Sequence, residues 1–324
     1  MFKKNLGKIV QRNDLTEPQM AQMITDIFSG NVTEAQIGAM MAALATKGET
    51  FEELAGAARA MRRKALRIQA PGATVVDTCG TGGDGAQTFN ISTTTAFVVA
   101  GCGVTVAKHG NRSVTSRCGS PEIVEEAVHE IGIGFLFAPL YHGAMKYAAK
   151  ARKEVGLRSI FNMLGPLTNP GGANCQLLGV YAPELTEMFA NALQLLGAKK
   201  AFVVHGHDGL DEITVCAPTR VSELKDGFIR TYDIFPEQFF GQQADSKDLL
   251  GGDPEENAQI TLNILDGETG PRRDVVLINT AAALVAAEAA DDLKQGIRLA
   301  ETSIDEGAAA EKMKALIQYT QENG

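Results

Sequence analysis

Paired or clustered cysteines are missing from this sequence. Its five cysteines, Cys79, Cys102, Cys118, Cys175 and Cys216, are scattered over 324 residues with no CxxC pair. That argues against a disulfide framework and against a zinc site. The odd count at wide spacing reads as free thiols in a reducing cytoplasm. No run approaches the roughly 20 apolar residues that span a bilayer, and the opening MFKKNLGKIVQRND lacks the apolar core of a signal peptide. Surplus positive charge is absent too. The net charge of -9 excludes a broad basic surface for nucleic acid, although a local basic pocket stays open. There is no internal repeat and no low-complexity tail. What is present is 44% hydrophobic and 21% charged, which suits a folded chain with a large core in one large domain or two smaller ones.

Residues 1–66 read as helices only. Thr33 with Gln36 and Thr50 with Glu53 fit capping boxes, and Gly30 and Gly48 stand where helices should stop. Met20, Met23, Ile24 and Ile27 fall on one helical face and read as core or subunit interface. From residue 70 the texture changes. Short β-rich runs, TVVDTC, GVTVAKH, GFLF, AFVVHG and DVVLIN, alternate with alanine-rich stretches. That alternation predicts parallel strands with crossover helices. Pro71-Gly72 marks the boundary, and residues 217–275 should contain antiparallel or irregular pieces.

The densest chemical signal is TVVDTCGTGGDGAQTFNISTTT, residues 74–95. Gly80, Gly82 and Gly85 match G-x-G-x-x-G after a strand, a weak pattern on its own. A dinucleotide site would open its helix at once and place an acidic residue at the end of the next strand. Here AQTFNI intervenes before the cap candidates Ser92 to Thr95, and the next strand ends in Lys108-His109. A Walker lysine pattern is absent as well. Glycines let backbone N–H groups approach phosphate oxygens, and hydroxyls at a helix start add the positive end of its dipole. Asp84 would repel a bare phosphate. It becomes useful if the ligand carries sugar hydroxyls or a divalent cation. A structural tight turn with a capping Asp is the plainer reading. Four glycines in six residues, ahead of Ser92 and Thr93, favour a ligand.

KHGNRSVTSRCGS, residues 108–120, puts three cations, Asn111 and four hydroxyls into thirteen residues of an acidic protein. Such density suggests a pocket for a compact anion rather than a solvated polar loop. HGHDGLDEIT, residues 205–214, adds the adjacent carboxylates Asp211 and Glu212. An Asp-Glu pair is usually surface, but beside an anion pocket it suits Mg²⁺, which keeps waters and bridges to phosphates. His205 and His207 form a His-x-His that reads as incidental.

In this order, DTCGTGGDG, NIST, KHGNRSVTS, FLFAPLYHGAMKYAAKARKEVG, FNMLGPLTNP and GLDE resemble the anthranilate phosphoribosyltransferase family of tryptophan biosynthesis, almost end to end. The combination is specific where each piece alone is not. The resemblance implies an α/β fold: a small all-helical domain, residues 1–70 joined by helices from about 140–175, and a larger phosphoribosyl-binding domain with a mostly parallel sheet, 71–324. It implies transfer of phosphoribosyl from 5-phosphoribosyl-1-pyrophosphate to the amine of anthranilate, with Mg²⁺ (two ions) as cofactor, a homodimer as assembly and the cytoplasm as location. Carried over by position, Gly80, Gly83, Asp84, Thr88, Asn90, Ile91, Ser92 and Thr93 belong to the sugar phosphate. So do Lys108, His109, Gly110, Asn111, Arg112, Ser113, Val114, Thr115, Ser116 and Ser120. Ser92, Asp211 and Glu212 match the metal ligands. Asn111 and Arg152 match anthranilate contacts, with Gly80, His109 and His142 close by. Arg158 does not match the binding position. No side chain is implied as a covalent nucleophile or obligatory base. Asp84 would then face a metal-dressed sugar phosphate.

Two alternatives share the fold: a pyrimidine-nucleoside phosphorylase, which needs no metal pair, and a non-catalytic nucleic-acid-binding relative, which needs basic surface. Asp211-Glu212 and Arg152 together speak against both. One departure stands out. Gly119-Ser120 runs straight into PEIVEEAVHEIG, so about one helix and its loop lack a counterpart. Either the chain is shorter there, with Ser120 as N-cap and Pro121 at the first helical position, or the sequence as read omits a segment. The second is the expectation, because the piece would cover the phosphate loop beside the interdomain cleft.

Overall fold

The computed structural model describes residues 1–83, 85–110 and 120–323. Four helices come first: α1 (Phe2–Val10), α2 (Glu17–Phe28), α3 (Glu34–Lys47) and α4 (Phe51–Lys64). The capping boxes at Thr33 and Thr50 form, and a third joins Thr16 to Gln19. Met20, Met23, Ile24 and Ile27 have no exposed surface, which settles them as core of this chain. Gly56 lets α4 lie directly on α2, since a side chain there would run into the carbonyl of Glu17. Pro71-Gly72 lies in the connection between α4 and the first strand.

The larger part is built on β1 (Val76–Gly80), β2 (Val106–Gly110), β3 (Ile133–Phe137), β4 (Cys175–Gly179), β5 (Lys200–Gly206), β6 (Thr219–Lys225) and β7 (Phe228–Ile234). They form one sheet in the order β3-β2-β1-β4-β5-β6-β7. The first five strands run parallel, and β6 and β7 close the edge as an antiparallel hairpin. This is the small helical part plus α/β part with a mostly parallel sheet that the sequence predicts. Side chains alternate between two cores, as a sheet covered on both faces requires. Val76, Leu177, Phe202 and Val204 enter one. Cys79, Leu178, Ala201 and Val203 enter the other, which also takes the apolar faces of α2 to α4.

Two expectations are corrected. DVVLIN is not a strand but part of a helix, Pro271–Ala286. Pro271 sits in its first turn, the run continues into NTAAALVA, and it is buried from Val275 to Ala286. A helix apolar on all sides carries no periodic signal to separate it from a core strand. The strand that the sequence reading lacked is β4, CQLLG, whose five residues are all buried. The second correction is the helix after the glycine turn. That helix, α5 (Ile91–Gly101), starts at Ile91 with Asn90 as cap residue, so Ser92 and Thr93 lie inside its first turn. The irregular stretch before it is tied down by residues 249–251: Phe89 N donates to Leu249 O and Gly251 N to Gln87 O.

The remaining elements near the site are α6 (Pro121–Glu130), α7 (Ala138–Tyr141) and α8 (Lys146–Val155). Ser120 is the cap residue of α6 and Pro121 its first residue, the helix start that the shorter-chain reading requires.

Candidate active site

β1 lies between β2 and β4, where the strand order reverses. The carboxyl ends of strands at such a switch point are where α/β sheets hold ligands. The glycine turn leaves β1 at that point. Gly82 and Gly83 take positive φ angles of 66° and 81°, and Gly85 one of 73°, which suits residues without a Cβ. Gly82 N donates to Asp211 Oδ2 at 2.8 Å. A side chain at Gly80 would collide with the Asp211 carboxylate, and one at Gly179 with the Asp211 main-chain carbonyl. The paired ends of β1 and β4, Gly80 and Gly179, therefore make the bare floor on which the Asp211 segment rests. Glu212 beside it is buried.

On the other side of β1, Lys108 Nζ reaches the Thr78 carbonyl and, at 3.0 Å, Ser92 Oγ. Thr78 Oγ1 in turn donates to the Ser92 carbonyl at 3.1 Å. Lys108 is buried in the middle of β2, and its cation is delivered to the start of α5 rather than to solvent. Gly110 ends β2. Thr88 makes a lone bridge to Leu250, and Thr93 is half-buried. Asp84 and the segment Asn111, Arg112, Ser113, Val114, Thr115 and Ser116 lie outside the described residues, as does Cys118.

His109 and His142 meet at the end of β2. Their Nε2 atoms stand 3.2 Å apart, with rings nearly edge to face. His109 Nδ1 faces the Gly165 carbonyl at 2.9 Å, so it carries that ring's proton. In the neutral state its Nε2 is then the acceptor, and His142 Nε2–H the donor. Burial pushes His109 down to about 3, with the neighbouring His142 adding to the effect, and burial pushes His142 down to about 4. The pair is therefore neutral at pH 7.

Arg152 projects from α8 with its guanidinium 5.7 Å from the centre of the Phe161 ring. Burial lowers its pKa. Among the described residues, the arginine that touches the glycine turn is Arg158. It lies 3.8 Å from the centre of the Tyr181 ring and donates to Gly83 O at 3.3 Å. Sequence spacing gave no sign of that contact. His205 and His207 have separate partners, the Val180 carbonyl and Asp233.

Could the site hold Mg²⁺? Among the described residues no group of three or more His, Cys, Asp and Glu side chains converges as a metal cage. Mg²⁺ does not need one, because one or two carboxylates plus phosphate oxygens and waters complete its octahedron. Asp211, Glu212 and the Ser92 hydroxyl are all oxygen donors, so the residues fit that mode.

Two family descriptions cover the chain: "Glycosyl transferase family, helical bundle domain" over residues 3–65 and "Glycosyl transferase family, a/b domain" over 72–310. An anthranilate phosphoribosyltransferase of Desulfosudis oleivorans is 67% identical, with all of both chains covered. This chain belongs to the anthranilate phosphoribosyltransferase family. Its structure superposes on the Thermus thermophilus enzyme with a TM-score of 0.91 at 37% identity, covering 98% of this chain and 99% of that one. It superposes on the Saccharomyces cerevisiae enzyme in complex with PRPP and Mg with a TM-score of 0.88 at 28% identity, covering 99% and 98%. The Desulfosudis alignment runs to 339 positions against the 324 residues here, so this chain is shorter than the alignment.

Proposed function

We propose that the chain transfers phosphoribosyl from 5-phosphoribosyl-1-pyrophosphate to the anthranilate amine, the second step of the tryptophan branch, at the switch point of the sheet. The observation that carries the reading is the convergence on the end of β1. One flank holds a carboxylate against the glycine turn, and the other delivers a buried ammonium to the start of a helix. That pairing of fixed charges suits an anionic substrate that arrives with a cation. It is not what a phosphorylase using free phosphate needs.

In this reading the N–H groups of the turn and of the first turn of α5, with Ser92, Thr93 and Lys108, hold the phosphate oxygens. Asp211, Glu212 and Ser92 would hold Mg²⁺, as one ion or two, which would supply positive charge for the departing pyrophosphate. The bond from C1 to the pyrophosphate oxygen breaks as the bond from C1 to the amine nitrogen forms, with oxocarbenium character at C1. The nitrogen then loses one proton to solvent water. An aromatic amine is neutral near pH 7, so the nucleophile needs no prior deprotonation. Arg152 and Asn111 bind the acceptor, with its carboxylate on Arg152. His109 and His142 form a neutral wall beside it, and closure brings amine and C1 together.

The working division is a helical domain of residues 1–70, joined by helices from about 140–175, and a phosphoribosyl domain of 71–324. The assembly proposed is a homodimer through the helical domain, and the compartment the cytoplasm. No helix of the described residues is long and apolar enough to cross a membrane. The test is loss of anthranilate fluorescence on adding 5-phosphoribosyl-1-pyrophosphate and Mg²⁺, with pyrophosphate released in equal amount. Turnover that proceeds unchanged in EDTA, or phosphorolysis of a pyrimidine nucleoside instead, overturns the reading.

A further inference from the structure

β1 and β2 are parallel neighbours, yet only Val76 and Val106 stand in register, whereas β1 matches β4 over five consecutive pairs. Beyond Val76 no further register pair follows, and polar side chains bridge the two strands instead. The centre of this polar wedge is Asp77, which has no exposed surface. Asp77 Oδ1 accepts from His109 N at 3.0 Å, and Oδ2 accepts from Asn169 Nδ2 at 2.7 Å. The same Asn169 amide donates to Ala107 O at 2.7 Å, and its Oδ1 accepts from Gly171 N at 2.7 Å. All its bonds run one way, so Asn169 cannot turn over without setting oxygen against oxygen at Ala107. Main-chain groups on both sides of Lys108, the Ala107 carbonyl and the His109 amide, are thus held by side chains, that of Asp77 on β1 and that of Asn169.

We propose that Asp77, acting through Asn169, is a positioning residue for the transfer reaction. The wedge fixes the end of β2 where the Lys108 ammonium spans the Thr78 carbonyl and Ser92 Oγ. Asp77 does not touch the substrate. It sets where the buried cation meets the phosphoribosyl side. The His109 side chain has anchors of its own, Gly165 and His142, so the acceptor side depends less on the wedge than Lys108 does. That asymmetry separates a positioning role from a structural one. This inference rests on the phosphoribosyl-transfer reading.

The experiment is steady-state kinetics on Asp77→Asn, with both substrates varied and the circular dichroism spectrum and Tm recorded. An amide at position 77 must set its NH2 against either the His109 N–H or the Asn169 NH2, so one donor faces another. The result expected is a folded protein whose KM for 5-phosphoribosyl-1-pyrophosphate rises about tenfold, with the anthranilate KM changed less than about threefold. Asn169→Ala, which removes only one arm of the wedge, should shift the same KM in the same direction. Folded variants with both KM values at the wild-type level, or with kcat reduced only by the fraction unfolded, overturn the proposal. So does failure of both variants to fold, which assigns the wedge to folding alone. A wild-type protein that lacks turnover refutes the reaction reading instead.

Discussion

The Asp211 carboxylate receives the amide of Gly82 at 2.8 Å, although 129 residues separate them in sequence. One of the two acids proposed for Mg²⁺ is therefore already hydrogen-bonded to the turn proposed for the sugar phosphate. Asp211→Asn with Glu212→Gln should abolish Mg²⁺-dependent turnover, by about a thousandfold or more, and leave the Tm within a few degrees. Full activity in the double variant would remove the pair as ligands and return the phosphorylase reading.

Gly80 faces the same carboxylate. Gly80→Ala forces Asp211 off the turn, because the added methyl occupies its place. Gly80 itself is exposed, so stability should hold while kcat/KM for 5-phosphoribosyl-1-pyrophosphate falls about ten- to a hundredfold. A variant as active as wild type would mean that Asp211 works from another position.

Arg152 is the residue proposed to meet the acceptor carboxylate. Arg152→Ala should raise the KM for anthranilate by about tenfold or more, the scale of a charge-assisted bond, with a much smaller effect on the sugar phosphate. An unchanged anthranilate KM takes Arg152 out of the site. Arg158 predicts the opposite split. Loss of its contacts to Gly83 and Tyr181 in Arg158→Ala should raise the sugar-phosphate KM by about threefold and spare anthranilate.

The His109–His142 pair predicts a pH dependence of folding. Both imidazoles sit below their ordinary 6.5, at about 3 and about 4, mainly through burial. Below pH 6.5 the unfolded chain binds protons that the folded chain refuses. Their contribution is thus complete above pH 6.5 and drains as the pH falls, to about 4 for His142 and about 3 for His109. The total is on the order of a few kcal/mol. Urea midpoints for wild type and His142→Gln should converge between pH 7 and pH 4.5. A constant difference across that window would show that the pair is not held neutral.

Much of this molecule is legible in its sequence, and the reasons are local. Capping boxes, the helical methionine face and four of the five parallel strands depend on residues a few positions apart. β4 and the helix Pro271–Ala286 escape because full burial on all sides removes the period that tells strand from helix. The glycine turn, the basic loop and the acid pair stand out by composition. Asp77 with Asn169 and Arg158 with Gly83 do not, because each pair is joined only by the fold, across 92 and 75 residues.

The floor of two glycines under Asp211 has a thermodynamic consequence. A loop seated against two strand ends and hydrogen-bonded to the facing turn has little conformational freedom left to lose. The binding proposed there, of Mg²⁺ with the sugar diphosphate, would then cost little ordering at this flank, and the favourable charge interactions would survive as affinity. Widening either glycine would trade that readiness for a loop that must be ordered afresh at every turnover.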